Sequence, residues 1–168
     1  MKKSALLLFA IMLAFGCASK KEADKFEKVV FHTSRCFGDC PVYHLQVNND
    51  KTFLLSKEES VRSAKQSAMG TGQSETDYFK GKVRDEDYSL LLSELEKTDS
   101  LKFKGENCCD APLRTIISYY NGKRKYVQTM FPPEKAKPLI EVLMRICKSE
   151  NLTPTEKFVL EGPVDDPK

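Results

Sequence analysis

The chain has 168 residues, with 27 basic and 24 acidic side chains and a formal net charge of +3. Without Lys2 and Lys3, which belong to the export segment described next, 25 basic residues stand against the same 24 acidic ones. This balance disfavours a nucleic-acid partner, since the densest basic cluster, residues 123–125, lies beside a predicted hairpin turn and reads as a solvated edge. The length suits one small domain with its own core.

Residues 1–16 have the order of a secretory signal peptide, in which Lys2-Lys3 precedes the apolar run Ala5–Phe15. That run has 11 residues, about half the ~20 that a membrane-spanning helix needs. The segment 13–17, LAFGC, resembles a bacterial lipobox, although a phenylalanine stands where a small residue is usual. The resemblance implies that Cys17 is acylated, palmitate included, and becomes the N-terminus of a lipoprotein. Ordinary cleavage is the alternative and would leave Cys17 as a free terminal thiol.

Residues 17–26 are short and charged and have no apolar period, so we expect them to form the lipidated cysteine and a solvated tether. A globular domain is predicted over 27–150 and a loop-like tail over 151–168. Ala18 and Ser19 follow Cys17 with no acidic residue next to it, which resembles the sorting signal of outer-membrane lipoproteins. The expected partners are therefore a membrane, reached through the lipid, and another envelope protein.

The first strands are predicted from alternation of apolar and polar residues over 29–32 and 42–47. Turn residues at 48–50 separate them from a third strand at 52–55, and a weaker fourth strand is predicted over 78–83. Residues 56–76 are polar and predict a mobile loop that is a candidate contact surface. One apolar face is shared by Val29, Phe31, Tyr43, Leu45, Val47, Phe53 and Leu55.

The second half of the domain predicts two helices around a hairpin. Asp85 can cap a helix that runs to about Lys97, and the Asn121-Gly122 turn predicts a hairpin over 115–129. A second helix follows Pro132-Pro133, with an apolar stripe that includes Leu139 and Leu143. The predicted class is therefore α+β: a mostly antiparallel sheet covered on one face by two helices, in a single small domain.

The most distinctive stretch is Cys36–Tyr43, with the pattern C-F-G-x-C-P-x-Y followed by a strand, a turn with Asp50 and another strand. This pattern is similar to the signature of an uncharacterised family of bacterial, often lipoprotein, domains, and the similarity extends from Val29 to about Cys147. The usual Asp-Gly turn of that family is Asp50-Lys51 here. The resemblance implies a small envelope domain of unknown function and supplies no catalytic residues.

Five cysteines remain besides Cys17, and in an exported protein they favour disulfides. Gly38 permits a sharp turn and Pro41 ends it, so a Cys36–Cys40 disulfide is reasonable and would contribute about 2 kcal/mol in the chain-entropy model. The other candidates are Cys108, Cys109 and Cys147, whose pairing with one another or with the first two stays open. An odd number leaves at least one cysteine unpaired within the chain.

The alternative is a thiol or metal module that uses Cys36 and Cys40 with His32 and His44, or with Cys108 and Cys109. The histidines and the first two cysteines recur every four residues and are suitable zinc ligands. In a hairpin centred on Gly38, however, His32 faces His44 at about 13 Å from the cysteines, which is too far for one coordination shell. The same register places both histidines opposite the apolar face, where we expect them to be exposed.

No sequence motif for an enzyme or a cofactor is present, so we expect neither catalytic residues, nor a bound metal, nor a cofactor. Arg35, Asp39 and Arg114 are candidates for a surface site, with exposed turn and strand-end charges as the simpler interpretation. A hydrolase without a motif would require a pocket with converging polar groups. The hypothesis favoured by the sequence is a non-catalytic envelope lipoprotein with a small binding or structural domain.

Overall fold

The computed structural model describes residues 26–36, 40–60, 74–98, 100–101, 103 and 111–162. The predicted signal peptide, Cys17 and the tether up to residue 25 lie outside this part, as do residues 163–168 of the predicted tail. The described elements are β1 (Phe26–Thr33), β2 (Val42–Asn48), β3 (Thr52–Ser60), β4 (Ser74–Lys82), α1 (Asp85–Thr98), β5 (Arg114–Tyr120), β6 (Lys123–Thr129), α2 (Lys137–Cys147) and β7 (Thr153–Pro154), with a 3₁₀ turn (Glu134–Ala136) before α2.

The strands form one antiparallel sheet in the order β6-β5-β1-β2-β3-β4-β7. With the two helices this gives a single small α+β domain, so the predicted class is confirmed. Neighbouring strands are joined by hairpins except at two places. β1 pairs with β5 after the chain has passed through α1, and β4 pairs with β7 after it has passed through both helices. Among the described residues, no helix combines the length and the apolar character needed to cross a membrane.

One face of the sheet and both helices enclose the core. The strand residues predicted to share an apolar face are all buried there, together with Leu91 and Leu95 of α1 and Leu139 and Leu143 of α2. Each strand contributes alternate residues because successive side chains point to opposite faces. The helices contribute residues three and four positions apart because these fall on one side of a helix.

A cluster of ion pairs also joins the two helices. Asp87 is buried at the start of α1. It accepts a hydrogen bond from Nε of Arg84 at 2.9 Å and forms an ion pair with Nε of Arg145 in α2 at 3.2 Å. A buried carboxylate is tolerated when cations and hydrogen bonds satisfy it. This ion-pair cluster therefore fixes how α2 lies against α1.

The β3–β4 hairpin is longer than the sequence analysis predicted. β3 continues to Ser60 and β4 begins at Ser74, so both ends of the predicted loop 56–76 belong to paired strands. Only residues 61–73 of that loop lie outside the described part of the chain. The polar composition misled the prediction because residues 75–77 are exposed and contribute nothing to the core, so only backbone pairing with β3 makes this end a strand.

Candidate functional site: the outer face of the sheet

Cys36 and Cys40 form a disulfide at the end of the β1–β2 hairpin, as the motif suggested. Below it, the buried Thr33 hydroxyl donates to the Pro41 carbonyl and accepts from the Tyr43 amide, at 3.2 and 2.9 Å. Residues 37–39, and with them the candidate Asp39, lie outside the described part. The disulfide leaves neither cysteine available as a thiolate, which removes the basis of the thiol or metal alternative at these two positions.

The other two candidates for a surface site hold local structure. Arg35 forms an ion pair with Glu58 of β3, and Arg114 donates to the Met130 carbonyl oxygen at 3.0 Å. Their segments are neighbours, because the Ser34 amide donates to the Leu113 carbonyl at 2.9 Å. Both arginines thus lie near the disulfide end of the sheet, where they tie loops to strand ends.

Cys147 is a free thiol at the end of α2 with only 1 % of its surface exposed. Burial raises the pKa of this thiol, so it is unreactive. In the described part of the chain Cys147 has no disulfide partner, and its side chain lies in the core. Its pairing with Cys108 or Cys109 stays a prediction. Cys108 and Cys109 lie outside the described residues.

His32 and His44, here called the histidine pair, face each other across β1 and β2 as predicted, with ring centroids 5.2 Å apart. They are not exposed, however. Both are half-buried, and Nδ1 of His32 is fully buried with no hydrogen-bond partner in the described part of the chain. Burial lowers the pKa of both imidazoles, and the charge of His44 lowers that of His32 further. The expectation failed because it treated the second face of the sheet as open to water.

The C-terminal segment 155–162, here called the cover, crosses that second, outer face. It starts beside β4, where the Thr155 amide donates to the Tyr78 carbonyl at 2.9 Å and the Phe158 ring packs edge-on against the Tyr78 ring. It then reaches β2, where Nε2 of His44 donates to the Glu161 carbonyl oxygen at 2.8 Å. The predicted loop-like tail is thus an extended segment laid across the strands.

The carboxylate of Glu161 lies at a point where three strands supply donors. The Tyr119 hydroxyl of β5 donates to it at 2.9 Å, Nε of Arg124 in β6 donates at 3.0 Å, and Nζ of Lys28 in β1 lies 3.6 Å away. Burial raises the pKa of Glu161, but these hydrogen bonds and charges lower it more, so its net pKa lies below the ordinary value. The ammonium of Lys28 also lies 4.6 Å from the centroid of the Tyr119 ring. We call Lys28, Tyr119 and Arg124 the carboxylate site.

Two aliphatic side chains complete the outer face. Val30 and Ile117 are register partners, alternate with core residues and are each 1 % exposed. Because side chains alternate across a strand, their burial requires material on the outer side of the sheet, the side on which the cover lies. The sequence did contain a signal for this second buried face: the uninterrupted apolar runs Val29-Val30-Phe31 and Ile116-Ile117. Strands that are buried on both faces lack the alternation of apolar and polar residues.

Two clefts lie elsewhere in the described part. One, of about 170 Å³, is lined mainly by apolar side chains of α1, β5 and β6, including Leu95, Ile116 and Val127. The other lies beside the Asp87 cluster and is rimmed by Lys82, Arg84, Arg145 and Lys148, among others. Among the described residues, no group of three or more His, Cys, Asp or Glu side chains has the arrangement of a metal site.

These features define a class: an α+β domain whose antiparallel sheet is covered by two helices on one side and by its own C-terminal segment on the other. Residues 27–147 match the family described as Domain of unknown function (DUF6438), which is more than half of the chain, so the chain belongs to that family. The match includes β2 to β6, both helices and all but the first residue of β1, and it ends before the cover begins. Neither the curated proteins nor the solved structures yielded a match.

Proposed function

We propose that this chain is a bacterial envelope lipoprotein, anchored by acylated Cys17, whose domain binds an envelope partner and has no catalytic role. The anchor rests on the sequence, where the apolar run is too short to span a bilayer and ends at a lipobox-like cysteine. Several acyl chains would give stable attachment, because each buried CH₂ contributes about 0.8 kcal/mol. The outer membrane is the expected destination.

The observation that carries this proposal is the Cys36–Cys40 disulfide. Disulfides persist in oxidising compartments such as the periplasm and are rare in the cytosol. The disulfide and the export segment are independent features of the chain, and both favour the same compartment.

The non-catalytic part rests on how the charged and reactive side chains are used. Asp87 is neutralised by two arginines, Arg114 holds a backbone carbonyl, and Cys147 is buried. These groups are engaged in ion pairs, in a backbone hydrogen bond and in core packing. Binding is the role that such a surface supports best.

The test is the intact mass of the full chain isolated from its own membranes, before and after reduction and alkylation, beside a Cys17→Ser variant. We expect a wild-type chain that starts at Cys17 with added acyl mass, and a variant without that mass that leaves the membrane fraction. Reduction should expose at least two further thiols, from the disulfide. A wild-type chain without acyl mass would refute the anchor. Alkylation of Cys36 and Cys40 without reductant would show that they are free thiols, and would favour the thiol or metal module instead.

A further inference from the structure

We infer that the outer face of the sheet is a binding surface for an extended segment of a partner protein that carries an acidic side chain, and that the cover is its internal occupant. The inference names the partner chemistry of the proposed binding role and rests on that role, but it does not depend on the lipid anchor. It follows from how the face holds residues 155–162.

The carboxylate site selects an acidic side chain. Lys28, Tyr119 and Arg124 come from three adjacent strands, and all three reach the same carboxylate, that of Glu161. Charged donors with a fixed hydroxyl favour a carboxylate over a neutral amide, because charge-assisted hydrogen bonds are the stronger ones. The three residues stand on β1, β5 and β6, which pair with one another without a contribution from the cover.

The rest of the face selects an extended backbone with an aromatic anchor. Phe158 packs on Tyr78 with ring centroids 5.2 Å apart, and the Glu161 carbonyl accepts from His44. Between these two contacts, Val159 is 90 % exposed and makes no demand on sequence. The recognised pattern is therefore an aromatic residue followed three positions later by an acidic residue.

The cover is held less firmly than the rest of the domain. It has no helix, and the preceding strand β7 pairs only two residues with β4. Segments with few buried apolar contacts open at a lower free energy than core strands do. The family match ends at Cys147, so the face belongs to the matched domain whereas the cover follows it.

A partner segment would thus compete with the cover for the same donors. A segment tethered through a short linker has an effective concentration in the millimolar range, which masks the face until the cover is weakened or outcompeted. The expected partner presents its aromatic and acidic residues on an extended stretch, as in other cases where a peptide is recognised through its backbone and alternate side chains.

The experiment uses a fluorescent peptide with the sequence of residues 155–162, TEKFVLEG, followed by anisotropy. It is titrated into the wild-type chain and into a full-length F158A/E161Q variant, whose own cover is weakened while the face is intact. We expect the variant to bind at least about tenfold more tightly than the wild type, because the internal competitor is lost. Adding Tyr119→Phe to this variant should weaken binding several-fold by removing one donor.

Two altered peptides are the matched controls. A peptide with the Glu161 position changed to Gln should bind at least about tenfold more weakly, whereas one with the Val159 position changed to Ala should bind within about twofold of the original. Near-UV circular dichroism of each variant establishes that the sheet and core are folded. Peptide binding that is absent in a folded variant, or equal for the Gln and Glu peptides, would overturn the inference.

Size-exclusion chromatography with light scattering tests whether the occupant of the face is instead the cover of a second copy of this chain. A wild-type dimer that is lost in the F158A/E161Q variant would show that the cover of another copy fills the face, and would overturn the assignment to a different partner. A monomer at all concentrations supports it. Failure of the peptide assay removes this face as the binding surface and leaves the mass measurement at Cys17 unaffected, so the two proposals fail separately.

Discussion

Lys51 is one of two non-glycine residues in the described part of the chain whose backbone φ angle is positive. It closes the turn between β2 and β3 with φ of 68°, its amide donates to the Asn48 carbonyl at 3.1 Å, and its carbonyl accepts from the Val83 amide at 2.9 Å. These two hydrogen bonds and the Asp50 carboxylate, which accepts from the Thr52 amide, hold the turn in the left-handed region. Glycine is the residue that adopts this region without a steric penalty.

Replacing Lys51 with glycine should therefore stabilise the fold. A non-glycine residue in the left-handed region costs about 1–2 kcal/mol, and the extra flexibility of glycine in the unfolded chain offsets about 0.5–1 kcal/mol of the gain. Lys51→Ala is the matched control, since both variants lose the contact of the Lys51 ammonium with the exposed carboxylate of Asp85. We expect Lys51→Gly to exceed Lys51→Ala in free energy of unfolding by about 0.5–1 kcal/mol.

The assay is urea unfolding followed by circular dichroism, with thermal unfolding as a second measurement. For a chain of this size the difference corresponds to a melting temperature about 1–4 °C higher for the glycine variant. An alanine variant as stable as the glycine variant would refute the argument, because it would mean that the turn relaxes to negative φ without a cost.

Three further predictions follow from the disulfide, the sheet and the histidine pair. Replacing Cys36 and Cys40 with serine should lower the free energy of unfolding by about 2 kcal/mol, the value expected for so short a loop. Gly81→Ala should lower it by about 1–3 kcal/mol, because the new methyl group would lie 2.5 Å from the buried Phe53 ring. The folded-state pKa of each histidine lies below the unfolded value of 6.5, so the unfolded chain takes up protons first. Their contribution to stability is thus present above about pH 6.5 and is lost as the pH falls through the folded-state pKa. The measurement is the urea midpoint of unfolding at pH 7.5 and at pH 5.0.

Each of these has a control. Reductant should lower the stability of the wild type and leave the double-serine variant unchanged; equal sensitivity would contradict the disulfide's role. Lys80→Ala, at an exposed position next to Gly81 on β4, should change stability by less than about 0.5 kcal/mol. A variant with glutamine in place of the histidine pair should lose most of the pH dependence between 7.5 and 5.0. If it keeps the full dependence, other groups cause it.

The fold gives the proposed binding surface a physical basis. Most antiparallel sheets with helices on one face leave the other face to water, and that face is then polar. Here the outer face carries Val30, Ile117 and the histidine pair, which need a cover, and a carboxylate site that needs an acid. The cover contacts this face through His44 and through the carboxylate site, and a partner segment of the same chemistry can make the same contacts.

The sequence by itself determined the elements whose signals are local. Period-two alternation located the first strands, helical spacing located α1 and α2, and the Asn121-Gly122 turn located the second hairpin, where both residues have positive φ. The disulfide could also be predicted from the sequence, since Cys36 and Cys40 are four residues apart and a glycine lies between them. In each case the residues that interact are close in sequence, or repeat a pattern set by backbone geometry.

Only the tertiary structure decided what lies on the outer face and which cysteine is buried. The Glu161 carboxylate is held by residues 37 to 133 positions earlier in the chain, and its carbonyl by His44, 117 positions earlier. No periodicity links such positions, because the cover is an irregular segment whose conformation is set by the surface beneath it. The same holds for Cys147: its burial follows from the docking of α2 on the sheet, which places that side of the helix in the core. The lengthened β3–β4 hairpin is a third case, since backbone pairing extended it where side-chain pattern predicted a loop.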